Sequence, residues 1–220
     1  MVHNRFIRIF AEIQFINLRD FSDDMERLLK ETSDEHIQHL EELSNELIDD
    51  EERDRFWDFH IDRVHQLRDD YPSIHRSSML VSCMSNMEKV LVNVHDNLIT
   101  RDIGLRDLRH FGRKSTYRKV LESIHEVISL DEISSMPEWD QLLFYYELRN
   151  RIVHDVGKVP PRKHPELFEK INNYELVSLN RYDELVFEEG FVNKVNFDCI
   201  KIMKKLFEII DIYFKQQASK

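Results

Sequence analysis

An apolar stretch between Trp139 and Gly157 contains three residues that could carry chemistry, namely Arg149, Asn150 and His154. A guanidinium among apolar side chains is unfavourable unless an anion pairs with it, and a phosphate group is one such anion. An imidazole exchanges protons near neutral pH, and an amide both donates and accepts hydrogen bonds. These residue types therefore suit the binding of a phosphate and the transfer of protons around it.

The element that must position these residues is a helix. Two of its faces are apolar at helical spacing, one with Trp139, Leu142, Tyr146 and Val153 and the other with Tyr145, Leu148, Ile152 and Val156. We expect both faces to be buried, which makes this the central helix of the core. Pro137 suits its first position. Gly157 suits a left-handed cap and Pro160-Pro161 prevent continuation, so His154 falls in the last turn, where the helix dipole favours a protonated imidazole.

The run Arg149-Asn-Arg-Ile-Val-His154 resembles the Arg-x4-His ribonuclease motif of the HEPN superfamily (higher eukaryotes and prokaryotes nucleotide-binding domain). Active members of that superfamily carry an Arg, four to six further residues and then a His, often with an Asn directly after the Arg. Similar spacings recur at Arg53 and Arg55 to His60, at Arg68 to His75 and at Arg118 to His125. Only the run from Arg149 to His154 combines the Asn with an apolar helix and a Gly just after the His.

The resemblance implies a metal-independent endoribonuclease that cleaves single-stranded RNA without a cofactor. The ribose 2′-hydroxyl would attack the neighbouring phosphate and leave a 2′,3′-cyclic phosphate and a 5′-hydroxyl. His154 is then the general base or acid, Arg149 clamps the scissile phosphate, and Asn150 fixes the substrate or the imidazole by hydrogen bonds. Arg151 points elsewhere on the helix and is expected to guide the RNA backbone.

The resemblance also implies a homodimer. Residues five apart on a helix differ by about 140° in direction, so Arg149 and His154 of one chain do not converge on one phosphate. A two-fold dimer that pools both motifs in a shared cleft would solve this. A toxin or an antiviral defence effector held by an antitoxin or another regulatory protein is the expected setting. The toxin branch usually has a Tyr two residues after the His, whereas this chain has Val156. The sequence therefore argues against a toxin that is regulated by modification of that Tyr.

Other interpretations stay open on the sequence alone. The chain could be a non-catalytic HEPN-like module that binds a nucleotide or a protein, with residues 1–70 as an acidic partner-binding or dimerising arm. In that case Arg149 would pair with Glu147 or with a carboxylate of the acidic first third, and His154 would only cap its helix. The acidic arm could also cover a basic cleft as an RNA mimic and keep an enzyme silent.

Composition favours a helical protein without membrane segments. The 220 residues are 41% hydrophobic and 33% charged, with only four Gly and five Pro, which disfavours β-sandwiches and Gly-rich phosphate loops. The sequence contains no run of 18 apolar residues, and Arg8 and Glu12 interrupt the apolar N-terminus, so no signal peptide is expected. We therefore expect a cytoplasmic protein with no membrane contact. Cys83 and Cys199 fall in helical patterns and are expected to be reduced core thiols.

Charge is unevenly distributed along the chain. Residues 1–70 hold 20 acidic and 9 basic residues, whereas residues 71–220 hold 22 of each, so the net charge of −11 lies in the first third. Seven basic residues fall between Arg101 and Lys119, against two Asp. A basic segment of this kind can hold a nucleic-acid backbone, although it can also be an ordinary solvated surface. The residues of this segment that we assign to RNA binding, together with Arg151, are Arg106, Arg109, Arg113 and Lys114.

The predicted domain boundary lies at Tyr71-Pro72, because a residue before proline disfavours helix and the charge balance changes there. The chain would then consist of an acidic helical extension, residues 1–70, and a HEPN-like helical bundle domain, residues 71–220. Within the extension, Thr32 and Glu35 form a capping-box pattern that predicts the start of a helix.

The predicted fold is all-α, a HEPN-like helical bundle with an N-terminal helical extension. The second part of the chain should contain four main helices, the first from about Ser73 to Thr100, the second capped by Ser115, and the third carrying the Arg/His motif. Residues 175–190 predict a small β-hairpin before the last helix, with its turn near residues 180–183.

Overall fold

The computed structural model describes residues 2–219, with side chains from Phe6 onward, and confirms the all-α class with one small hairpin before the last helix. The helices are α1 (Val2–Asn45), α2 (Asp50–His65), α3 (Tyr71–Thr100), α4 (Thr116–His125), α5 (Asp131–Ser134), α6 (Pro137–Asp155), α7 (Pro165–Asn172) and α8 (Phe191–Ala218). The strands are β1 (Val177–Leu179) and β2 (Leu185–Phe187). Within residues 2–219, every helix is too short or too polar to cross a membrane.

The core is built around α3, so the expectation that α6 is its central helix is wrong, although α6 contributes a buried face to it. Helix α3 packs against α1, α4, α6 and α8, and α6 packs against α3 and α8. Tyr145 is fully buried in α6, and its hydroxyl donates to Asp198 at 2.8 Å and lies 3.0 Å from the hydroxyl of Tyr174. Each large apolar side chain buried in this way contributes about 1.5–3 kcal/mol. Cys83 and Cys199 are both buried and unpaired, as expected.

Helix α1 runs without a break for 44 residues, about 66 Å, so the helix start predicted at Thr32 and Glu35 is wrong. One face of this helix is buried at intervals from Ala11 to Ser44. Eleven residues make about three turns, and small residues recur at that spacing on the buried face: Ala11, Ser22, Ser33 and Ser44. Small side chains let neighbouring helices approach closely, and this contact outweighs the local capping pattern.

The predicted interruption at Tyr71-Pro72 is also wrong. Helix α2 passes through one π-helical turn, Gln66–Asp70, directly into α3, and the Tyr71 N–H donates to the carbonyl of Gln66. Pro72 directly follows this π-helical turn, so the irregular hydrogen bonding of the turn falls where the proline lacks its N–H. The division into residues 1–70 and 71–220 stays a prediction, and Ala11 and Phe15 belong to the same core cluster as α3 and α8.

A second, outward face of α1 is apolar and exposed. Its five large side chains are each between 39% and 63% exposed and follow helical spacing: Phe6, Ile9, Phe10, Ile13 and Ile16. We call these five residues the outer stripe. A helix that is apolar on two faces usually has both covered, whereas only the inner face of α1 is covered within the chain.

The hairpin forms at the predicted place and supports the end of α6. Strands β1 and β2 pair antiparallel, and the Asn180 side chain accepts from the backbone N–H of Tyr182 and Glu184 to form the turn. The Leu185 N–H donates to the carbonyl of Gly157 at 3.0 Å, and the Val159 N–H donates to Asp183 at 2.8 Å. The segment that follows α6 is therefore held against the hairpin.

Candidate functional site

The motif lies where α6 leaves the core. The helix begins at Pro137, as predicted, and its buried part ends at Leu148. Val153 and Val156 are 46% and 82% exposed, so the expectation that both apolar faces are buried over their full length is wrong. The last turn extends beyond the neighbouring helices, and this places the motif residues at the surface rather than in the interior.

The end of α6 contains a strained residue. The left-handed cap predicted at Gly157 lies one residue earlier, at Val156, with a φ of 53°, and Gly157 follows it with a φ of 78°. A β-branched residue in this region costs about 1–3 kcal/mol. The N–H groups of Val156 and Gly157 both donate to the carbonyl of Arg151. The helix therefore ends at Asp155, one residue after His154.

Arg149 is half-buried and makes no ion pair with any described side chain. Its Nη1 donates to the Oδ1 of Asn150 at 3.1 Å. Glu147, the sequence-based candidate for its counter-ion, instead faces Lys170 at 3.6 Å. The guanidinium therefore keeps donors that no described side chain uses.

Two stacked tyrosines stand beside Arg149. The rings of Tyr117 in α4 and Tyr146 in α6 are 3.7 Å apart with 8° between their planes. Burial raises the pKa of Tyr146 well above its usual value, the negative charge of Glu88 adds to this, and the nearby Arg149 acts in the opposite direction. The phenol of Tyr146 is therefore neutral.

Asn150 and Arg151 line a cleft beside α6. The cleft has a volume of about 370 Å³ and lies between α6 and the start of α7. Its lining comprises Glu147, Asn150, Arg151, Lys163, His164, Pro165, Glu166 and Leu167. Arg151 does not extend freely into solvent, because its Nη1 donates to the Nε2 of His164 at 2.8 Å and lies 2.7 Å from Asp155.

His154 is exposed and stands one turn beyond Asn150 on the same helix face. The cleft lining thus includes Asn150 and Arg151 but neither His154 nor Arg149, and Arg149 reaches it only through its hydrogen bond to Asn150. Sequence reasoning missed Lys163 and His164, and the available signal was the run Arg-Lys-His at 162–164 after Pro160-Pro161.

The basic segment before α4 is largely paired within the chain. It forms a loop with a short 3-10 turn, Leu108–Phe111. Three of its four assigned RNA-binding residues face carboxylates: Arg106 with Glu126 at 3.1 Å, Arg109 with Asp107 at 2.7 Å, and Lys114 with Glu122 at 2.6 Å. Hydrogen bonds from Arg109 lower the pKa of Asp107. Arg113 is exposed and has no ion pair within the described residues.

The end of α6 therefore combines an unpaired guanidinium, an amide and an exposed imidazole with an open cleft that contains a second imidazole. These groups can bind an anion and move protons. Within residues 2–219, no group of three or more His, Cys, Asp or Glu side chains is placed to hold a metal ion. Comparison of the chain with protein-family models, with curated proteins and with solved structures finds no match.

Proposed function

We propose that the protein is a metal-independent endoribonuclease of the HEPN type that cleaves single-stranded RNA. The observation that supports this most is the half-buried guanidinium of Arg149, which has no counter-ion among the described side chains. A cation in a partly apolar setting gains free energy from an anion, and a guanidinium matches the geometry of a phosphate. The phosphodiester of RNA is such an anion.

In this mechanism the 2′-hydroxyl of the ribose attacks the adjacent phosphorus. His154 acts as the general base or acid, and Arg149 stabilises the charge that develops on the phosphate oxygens. Asn150 orients the substrate or the imidazole by hydrogen bonds. Arg151 and the basic residues Arg106, Arg109, Arg113 and Lys114 guide the RNA backbone, which requires Arg106, Arg109 and Lys114 to exchange their carboxylate partners for phosphates.

The active form is a homodimer with a composite site. Arg149 and His154 point about 140° apart on one helix, so each needs its counterpart from a second copy. The exposed last turn of α6, with Val153 and Val156 uncovered, gives a second copy access to both groups. A two-fold axis beside this turn places Arg149 of one protomer opposite His154 of the other.

The setting that we propose is that of a cytoplasmic toxin or antiviral defence effector controlled by a partner protein. An enzyme that cleaves single-stranded RNA without sequence-reading elements would harm its own cell unless held in check. The acidic arm of residues 1–70 is one candidate for that control. Deleting it would increase cleavage only if it were inhibitory.

The test is cleavage of a short labelled RNA in excess EDTA. The wild-type protein should yield fragments with 2′,3′-cyclic phosphate and 5′-hydroxyl ends, and an all-deoxy strand should stay intact. Arg149→Ala and His154→Ala should each lose activity by about 10²-fold or more. Arg55→Ala and His39→Ala, which change exposed residues in the arm, serve as matched controls and should cleave at the wild-type rate. Loss of wild-type cleavage in EDTA, or full activity of His154→Ala, would contradict the proposal.

A second candidate function is a non-catalytic module that binds another protein. The outer stripe of α1 favours it, because five exposed large apolar side chains at helical spacing form an interaction surface. Expression of the protein in cells separates the two functions. An enzyme predicts toxicity that disappears with Arg149→Ala, whereas a binding module predicts no change with Arg149→Ala and an effect of Phe10→Glu in the outer stripe.

A further inference from the structure

We infer that His164 is the second proton-transfer group of the site and that the cleft between α6 and α7 holds the ribose that carries the attacking 2′-hydroxyl. This inference rests on the proposed ribonuclease function. It assigns the general base to His164 and the general acid to His154, whereas the motif alone does not decide whether His154 is the base or the acid.

The position of His164 supports this assignment. His164 lies in the cleft wall together with two residues of the motif run, Asn150 and Arg151. Arg151 is a surface neighbour of His154, three residues away on the helix, and it contacts His164 directly at 2.8 Å. His164 therefore contacts the guanidinium of Arg151 in the cleft, and His154 is exposed three residues further along the same helix.

The direction of the hydrogen bond between Arg151 and His164 also supports it. Arginine has only donors, so the Nε2 of His164 must accept from Arg151, and its lone pair faces the guanidinium. That nitrogen carries no proton in this arrangement, which is the state that a general base requires. Asp155 holds the same guanidinium at 2.7 Å, so Arg151 keeps one anchor when His164 turns to the substrate.

The shape and lining of the cleft suit a ribose. A volume of about 370 Å³ falls in the range of small-molecule sites and accommodates a nucleotide unit. Lys163 lies on the same wall, and Asn150 offers both a donor and an acceptor to ribose hydroxyls. His164 is also the residue that directly precedes Pro165, so the start of α7 fixes its backbone.

The step balances with these two groups. The 2′-hydroxyl gives its proton to the Nε2 of His164, and the 2′-oxygen forms a bond to phosphorus. The bond from phosphorus to the 5′-oxygen breaks, and this oxygen takes the proton of the His154 imidazolium. The products are the cyclic phosphate and the 5′-hydroxyl, with His164 protonated and His154 neutral, and exchange with water restores both.

The experiment uses the full chain and two RNA substrates that differ only in the leaving atom. One has the natural 5′-oxygen and the other a 5′-sulfur, which leaves without protonation. The first variant is His164→Gln, whose side-chain oxygen can still accept from Arg151 but cannot take up a proton near neutral pH. The second variant is His154→Ala. His39→Ala is the control, and thermal unfolding checks that each variant is folded.

On the oxygen substrate, both variants should lose about 10²-fold or more in rate. On the sulfur substrate, His154→Ala should recover to within about tenfold of the wild type, whereas His164→Gln should stay about 10²-fold slow. If His164→Gln cleaves the oxygen substrate as fast as the wild type while His154→Ala does not, the inference is wrong and the proposed function stands. If His164→Gln regains its rate on the sulfur substrate, His164 is the general acid and the inference is overturned. A wild type that cleaves neither substrate would overturn both proposals.

Discussion

Arg76 in α3 and Glu26 in α1 form a two-pronged ion pair, with two nitrogens of the guanidinium each 2.7 Å from a different carboxylate oxygen. The third nitrogen donates to the carbonyl of Phe187 in β2 at 2.8 Å. Both side chains are less than a fifth exposed. One residue thus joins the N-terminal helix, the core and the hairpin that supports the end of α6.

Removing Glu26 should destabilise the protein through this junction. We expect Glu26→Ala to lower the free energy of unfolding by about 2–4 kcal/mol, because a largely buried guanidinium loses its carboxylate. Urea denaturation measures the change. Glu31→Ala, an exposed carboxylate in the same helix, is the control and should shift stability by less than about 0.5 kcal/mol. Equal effects of the two changes would contradict the prediction.

His75 should make stability depend on pH. Burial lowers its pKa, only partly offset by Glu26, and its Nε2 lies 3.1 Å from the Oγ of Ser22. The unfolded chain therefore binds a proton at His75 more readily than the folded chain does. The stability that neutral His75 contributes is present above the pKa of the unfolded state, and it is lost as pH falls from that pKa towards the lower pKa of the folded state. We expect His75→Gln to lose less stability between pH 7 and pH 5 than the wild type, as read from thermal midpoints. His39→Gln is the control, and a pH dependence unchanged by His75→Gln would refute the claim.

Val156 should be a site where glycine stabilises the fold. Its φ of 53° is unfavourable for a β-branched residue, and its side chain is 82% exposed, so little burial is lost. We expect Val156→Gly to raise the free energy of unfolding by about 0.5–1 kcal/mol. Val153→Gly is the matched control, since it lies in regular helix and should cost about 1 kcal/mol. Chemical denaturation measures both changes in the free energy of unfolding. Changes of opposite sign support the prediction, and changes of the same sign contradict it.

The buried carboxylate of Asp198 should depend on Lys194. Asp198 is fully buried and accepts from Lys194 at 2.6 Å and from Tyr145 at 2.8 Å. We expect Lys194→Met to destabilise the protein by about 2–4 kcal/mol, because the carboxylate loses its counter-charge. Adding Asp198→Asn should recover part of this loss, since the amide needs no counter-charge. A double variant less stable than Lys194→Met would contradict the explanation.

Mixing two inactive variants should restore activity if the site is composite. In a mixed dimer of Arg149→Ala and His154→Ala, one of the two shared sites keeps both wild-type groups. With random exchange of subunits, about a quarter of the wild-type activity should return. Cleavage of labelled RNA after co-refolding measures this recovery. A mixture as inactive as its components would contradict the pooled site while leaving the roles of the two residues open to the single-variant tests.

Local physics within the sequence was enough to predict the helical class, the start of α6, the left-handed φ of Gly157 after its end and the turn of the hairpin. Each depends on residues close together in the chain. Pro137 and Gly157 bracket α6 through backbone geometry, and the Asn180 side chain makes the turn with its own neighbours. The angular separation of Arg149 and His154 also follows from helix geometry alone.

Contacts between distant segments were beyond that reasoning. The packing of α1 along its buried face outweighed the capping pattern at Thr32. The π-helical turn before Tyr71 let the helix continue past Pro72, which the sequence pattern predicted to end it. The exposure of Val156 and the meeting of Arg151 with His164 depend on where α6 ends relative to its neighbours. Periodicity states which face of a helix is apolar, but only tertiary packing decides how much of that face another element covers.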